Sequence, residues 1–120
     1  MVESINIGKK LSLFSTYWDP KLVGEFNGQE VKVVKLKGEF VWHDHKYADE
    51  LFLVVKGHLV IHFRNQDVHA DEGEFIIVPK GVEHKPEAQK EAHIILVDSK
   101  GTVNTGNVEA KHTVKEPERI

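Results

Sequence analysis

From residue 31 to residue 97 the chain is cut into short runs of Val, Ile, Leu and Phe, broken by Gly, Pro, Asp or Asn. The breaks recur roughly every eight to twelve residues, the rhythm of an all-β sandwich or barrel. Runs this short suit strands and cannot present a helical stripe, and no long 3.6-residue period competes with them. Strands are expected over 31–37, 39–45, 50–56, 58–64, 68–70, 74–78 and 91–97, with 12–17 as a further candidate. Turn chemistry agrees: Gly38 and Gly57 permit tight reversals, Asn65-Gln66 forms a hairpin tip, and Asp71-Glu72-Gly73 and Pro79-Lys80-Gly81 close apolar runs.

A chain of 120 residues has the size of one domain with one core. The expectation is a single domain over 1–120, with a barrel core from about 12 to 98 and a polar tail over 101–120 carrying a short helix from Val108. The first ten residues are expected to be equally loose.

Composition removes several function classes. Sixteen Lys and Arg stand against 19 Asp and Glu, a net charge of −3 with no basic cluster, so a nucleic-acid backbone is not the expected partner. The apolar runs are far too short to cross a bilayer, and the amino-terminal segment lacks the apolar middle of a secretory signal. With no cysteine, disulfides contribute nothing and any metal must be held by N and O donors. A reducing cytoplasm is the expected setting.

Eight histidines are many for this length, and their placement matters more than their number. In a strand, side chains two apart share a face, so His43 and His45 look the same way. Glu50 follows within the same stretch, and His84 lies just past the 79–81 turn. Two imidazoles and a carboxylate, with a third imidazole in reach, suit Fe, Mn, Ni, Zn or Cu without distinguishing among them. If the pair points inward, Val41 shares its side while Phe40, Trp42 and Asp44 point away. By the same alternation Glu50 travels with Phe52 and Val54, and His58 and His62 oppose Leu59 and Ile61 and face solvent or an interface. Tyr47 is expected to be an exposed turn residue, Asp44 a solvated charge, and Lys80 and Lys85 surface lysines. His93 divides evenly between lining the cavity and an ordinary strand position, and His69 and His112 carry no partner signal.

From Gly38 the chain reads four residues, His43, one residue, His45, four residues, Glu50, six residues and Gly57. After 15 residues comes Gly73, then five residues, Pro79, one residue, Gly81, two residues and His84. These blocks resemble the first and second motifs of the cupin superfamily, in the order and at the separation of its small single-domain members. Two departures stand out: the first motif usually has five residues before its first histidine, and Ala88 replaces the asparagine that usually closes the second. The 101–107 stretch is similar to small cupins often labelled mannose-6-phosphate isomerase-like, although the larger architecture of phosphomannose isomerases is missing.

The resemblance implies a cupin-type antiparallel β-barrel (double-stranded β-helix, or jelly roll) with one divalent metal ion held by His43, His45, Glu50 and His84. It implies a metal-dependent enzyme, dioxygenase-like, acting on a small organic molecule. Non-catalytic sensing of a sugar or carboxylate is the alternative, as is an isomerase or epimerase, for which no general base stands out in the sequence. A homodimer is expected, with Phe14, Trp18, Phe40 and Trp42 as candidates for its surface.

Overall fold

The computed structural model describes residues 2–120. Helix α1 (Ile7–Leu11) is one turn, opened by Asn6, whose side chain accepts from the Lys9 amide. Eight strands follow: β1 (Lys21–Phe26), β2 (Gln29–Glu39), β3 (Glu50–Lys56), β4 (His58–Phe63), β5 (Gln66–Asp71), β6 (Phe75–Val78), β7 (His84–Ser99) and β8 (Glu118–Arg119). The architecture is the expected all-β jelly roll, antiparallel except where β8 lies parallel to β1.

Strand β7 organises the barrel. One of its edges pairs with β2 from Glu87 to Ser99. The other pairs first with β4, over His84–Glu87, and then with β3, over His93–Val97. Hairpin β4–β5 and pair β3–β6 therefore leave the same edge of β7 in succession and splay apart around a shared interior. Alternation puts Leu59, Ile61, Val54, Val78 and Ile94 into that interior, all essentially inaccessible to water. A smaller apolar layer forms on the outside of β2, where Val33 is covered by Leu11 and Val23.

Strand β3 coincides with the expected 50–56, whereas four other expectations need correction. Residues 40–45 do not form a strand: the β2–β7 register slips between Leu36 and Gly38, where Gly38 takes a left-handed φ of 84°, and the ladder ends at Glu39. Beyond it only an isolated bridge survives, between His43 and His84. Alternation fails across such a break, so Phe40 turns inward and meets His43 edge-to-face at 5.4 Å instead of pointing away. Residues 12–17 also form no strand; the amino-terminal strand is β1, whose signal Pro20 and Gly24 dilute. Strand β7 begins seven residues before the expected 91, at His84. Finally, the polar tail over 101–120 carries no helix from Val108, and it folds back: Thr105 is fully buried and β8 joins β1.

The aromatic candidates for a subunit surface divide. Trp18 and Phe40 are core residues, and Phe14 packs on the smaller apolar layer. Only Trp42 stays at the surface, its face covered by the Arg64 guanidinium at 3.8 Å. Of the exposed apolar side chains, Val55, Phe75 and Ile77 share the outer face of β3 and β6. Among the described residues no helix is long and apolar enough to cross a membrane.

Candidate metal centre

Two strand starts and the loop between β2 and β3 meet at the site. Glu50 opens β3 and His84 opens β7. His43 exchanges both backbone hydrogen bonds with His84, at 3.0 and 2.9 Å, which brings their rings to 4.3 Å. The His45 carbonyl accepts from the Gly81 amide at 2.8 Å, and Asp49 accepts from the Lys80 amide at 2.9 Å, so the 79–81 turn is stitched to the loop that carries the histidine pair. The exposures of His43, His45, Glu50 and His84 are 2, 6, 2 and 0 %. One donor atom from each lies within 4.8 Å of the other three. The structure thus brings together all four residues that the sequence nominates.

Their hydrogen bonds leave the centre unsatisfied. Nδ1 of His43 and Nδ1 of His84 each donate to a backbone carbonyl two residues earlier, of Val41 and Val82, both at 2.8 Å. That selects the tautomer with a free lone pair on Nε2. His45 Nε2, His84 Nε2 and Glu50 Oε1 are buried with no satisfying partner. Orphaned polar atoms cost ~1–3 kcal/mol each when buried, and three converging nitrogen and oxygen atoms are the donor set a divalent ion would satisfy.

Charge divides the site further. Burial, reinforced by the neighbouring His84, pushes the His43 imidazole down to about 4, so it is neutral near pH 7. Burial also pushes His45 down, but the Glu50 carboxylate outweighs it and leaves His45 raised. Burial opposes ionisation of Glu50, yet His45 and His84 hold its carboxyl well below the usual range. Behind Glu50 lies a group that the sequence reading missed, Asp98. Burial, opposed by Lys32 and reinforced by Glu50, pushes its carboxyl up to about 7. Its Oδ1 accepts from Lys32 Nζ at 2.7 Å, and its Oδ2 has no partner. The signal was available: Asp98 shares the inward phase of Ala92, Ile94 and Leu96 on β7.

With this geometry in place, the wider comparison is direct: the family model described as Cupin domain matches residues 30–99. The chain belongs to the cupin family. A cupin-2 domain protein of Shewanella frigidimarina is 45% identical and superposes with a TM-score of 0.79, covering 80% of this chain and 94% of that one. Protein NMB1881 of Neisseria meningitidis is 31% identical with a TM-score of 0.75, covering 81% and 99%. The uncharacterized protein YdbB of Bacillus subtilis is 33% identical over 64 residues, 52% of this chain and 57% of that protein's length. The match thus spans little more than half of that relative.

In this cupin His43 and Glu50 border a chamber of about 30 Å³, whose other walls are Trp18, Pro20, Val34, Phe40, Phe52, Pro86 and Leu96. Asn104 completes the lining and comes from the segment expected as a loose tail. That segment also presses on the donor loop: the Asn107 side chain accepts from the Asp44 amide at 2.9 Å, and a Cβ on Gly106 would overlap the Asp44 carbonyl. The remaining histidines stay outside the centre. His93 faces away from the chamber and pairs with Glu91 at 2.7 Å. His58 joins Asp71 and His69, His62 joins Asp67 and Glu87, and Tyr47 is exposed.

Proposed function

We propose that this cupin is a mononuclear metal-dependent enzyme of the dioxygenase type, acting on a small organic molecule. The observation that carries the reading is the convergence of buried donor atoms with no hydrogen-bond partner on His45, Glu50 and His84. His43, His45, Glu50 and His84 would hold one divalent ion, of Fe, Mn, Ni, Zn or Cu. When bound, such an ion supplies a Lewis-acidic or redox centre with positions left for exchangeable ligands. The chain's own part is orientation. Val41 and Val82 fix two imidazole tautomers, and the chamber sets apolar walls beside His43 and Glu50.

An isomerase or epimerase, the chemistry behind the mannose-6-phosphate isomerase-like label, needs a general base beside the substrate. Among the described residues, the titratable side chains lining the chamber are His43 and Glu50, both members of the donor set, and Asp98 backs Glu50 without lining the chamber. Metal-centred chemistry is therefore favoured. For the expected homodimer, the exposed face of β3 and β6 replaces the aromatic residues found in the core. A chain without cysteine fits a reducing cytoplasm.

The deciding experiment is metal analysis of untagged protein purified without oxygen, followed by oxygen uptake with catechols, diketones, flavonols and thiols. The expected result is about one ion per chain and substrate-dependent uptake. His45→Ala and Glu50→Ala should each lose the ion while the barrel stays folded; unchanged metal content in both would defeat the assignment. Ligand binding with no product would instead favour a sensing module built on the same centre.

A further inference from the structure

A chamber of about 30 Å³ admits a water molecule or a diatomic gas, whereas organic ligands fill ~300 Å³ or more. A separate open cleft of about 430 Å³ borders His45, but for an organic molecule to reach Glu50 through the chamber itself, part of the chamber wall must move. Val34, Phe52 and Leu96 lie in the ladders of β2, β3 and β7 and are fixed. Trp18, Pro20, Phe40 and Asn104 lie outside any ladder, and of these Phe40 is tied to β7 by its amide on the Pro86 carbonyl at 2.9 Å while Pro20 has a short, rigid ring.

Trp18 is unusual in its own backbone. Its φ of 56° is left-handed, a conformation that a bulky residue keeps only when its surroundings over-determine it and that concentrates at functional sites. Its amide donates to the Lys35 carbonyl at 2.9 Å and its indole Nε1 to the Lys37 carbonyl at 3.0 Å. The ring stacks on Phe40 at 4.7 Å, and the His112 ring leans on both, at 6.4 and 6.3 Å. Asn104 ties these parts together: Nδ2 donates to the Trp18 carbonyl at 3.4 Å and the His112 carbonyl at 2.8 Å, while Oδ1 accepts from the Val114 amide at 2.7 Å. Residues 102–117 are held by turns and side chains, without a ladder, which places them among the segments that open most readily.

We propose that Trp18, latched by Asn104, is the size-selecting gate of the metal chamber: closed on Phe40 it passes only very small molecules, and swung off Phe40 with the 104–114 strap it admits an organic ligand. The proposal rests on the metal-centre reading, and its test separates the two.

Cobalt(II)-loaded protein is mixed in stopped flow with azide, a three-atom anion, and with benzohydroxamate, an organic oxygen donor, and the cobalt absorption is followed. Trp18→Gly removes the indole and suits the left-handed backbone. It should speed benzohydroxamate association by about tenfold or more and azide by no more than about twofold, with cobalt content unchanged. Asn104→Ala should act in the same direction, less strongly. Equal effects on both probes, or none on either, overturn the gate. Wild-type protein that binds no cobalt overturns the metal reading and the gate with it. Should Trp18→Gly fail to fold, Trp42→Phe leaves Trp18 as the sole tryptophan. Saturating benzohydroxamate should then raise acrylamide quenching of its emission by about threefold, and unchanged quenching rejects the proposal.

Discussion

Oε1 of Glu50 lies 3.2 Å from Nε2 of His45, with both side chains almost wholly buried. A second imidazole, His84, approaches the same oxygen at 3.4 Å. The carboxylate raises the imidazole against the effect of burial, so below the ordinary histidine value of 6.5 the metal-free His45 is mostly protonated. Ligation requires that nitrogen to be neutral, so the ion must displace the proton.

Metal affinity should therefore rise with pH until it passes the raised value of His45 and flatten above it. His43, already neutral above about 4, adds no slope near neutrality. Calorimetry in buffers of different ionisation enthalpy should show proton release on metal binding at pH 6. His45→Ala should lose roughly one proton of that release along with most of the affinity. Release that is identical in the two proteins would contradict the linkage.

Acid should also loosen the metal-free fold through His43. Its folded value, about 4, lies below the ordinary 6.5, so its contribution is fully present above pH 6.5 and is lost as pH falls toward 4. The loss is of order 3 kcal/mol. Asp98 works in the opposite sense: its folded value, about 7, lies above the ordinary 3.8, so its contribution is present below pH 3.8 and is lost as pH rises toward 7. The two slopes oppose each other in the wild type. Urea midpoints of Asp98→Asn, which keeps only the His43 slope, should fall more steeply between pH 6.5 and 4 than those of the wild type.

Above about pH 7, where Asp98 is ionised, Lys32 and Asp98 form an ion pair with side chains 3% and 1% exposed. Lys32→Ala leaves the carboxylate buried without its cation, at a cost of about 3 kcal/mol or more. Lys32→Met combined with Asp98→Leu removes both charges of this pair, leaving in both variants the Glu30 carboxylate that lies 3.6 Å from Lys32, and should cost less than Lys32→Ala alone. A double variant weaker than the single in urea would show that the pair is a net source of stability.

Gly57, the last glycine of the first motif, takes a φ of 89°, and an added Cβ would lie 2.9 Å from the Glu91 carbonyl oxygen. That oxygen belongs to the backbone of β7 and cannot swing aside. Gly57→Ala should cost about 2 kcal/mol or more, read as a lower urea midpoint with an unchanged slope. An unchanged midpoint would show that the β3–β4 corner relaxes freely.

Phe75 and Ile77 are 59% and 53% exposed on edge strand β6. If this face pairs two chains, Phe75→Lys should shift the sedimentation coefficient from dimer to monomer while leaving the circular dichroism intact. Wild-type protein that sediments as a monomer would remove the homodimer reading.

Strands β3 to β6, most turns and the four candidate donor residues were legible in the chain itself. Two-residue alternation places Glu50, Phe52 and Val54 on one face of β3, and the glycine spacing frames His43, His45 and His84 without any coordinates. Those signals are local, set by backbone geometry over a few residues. Only the tertiary structure decided what surrounds the donors. The register slip at Gly38 turned Phe40 inward, while Trp18 and Asn104 wall the chamber and Gly106 packs on the donor loop, all from segments that look like loose ends in sequence. Loops and tails have no periodicity from which to predict a face, so their positions follow from side-chain partners distant in the chain, and those exist only once the barrel has formed.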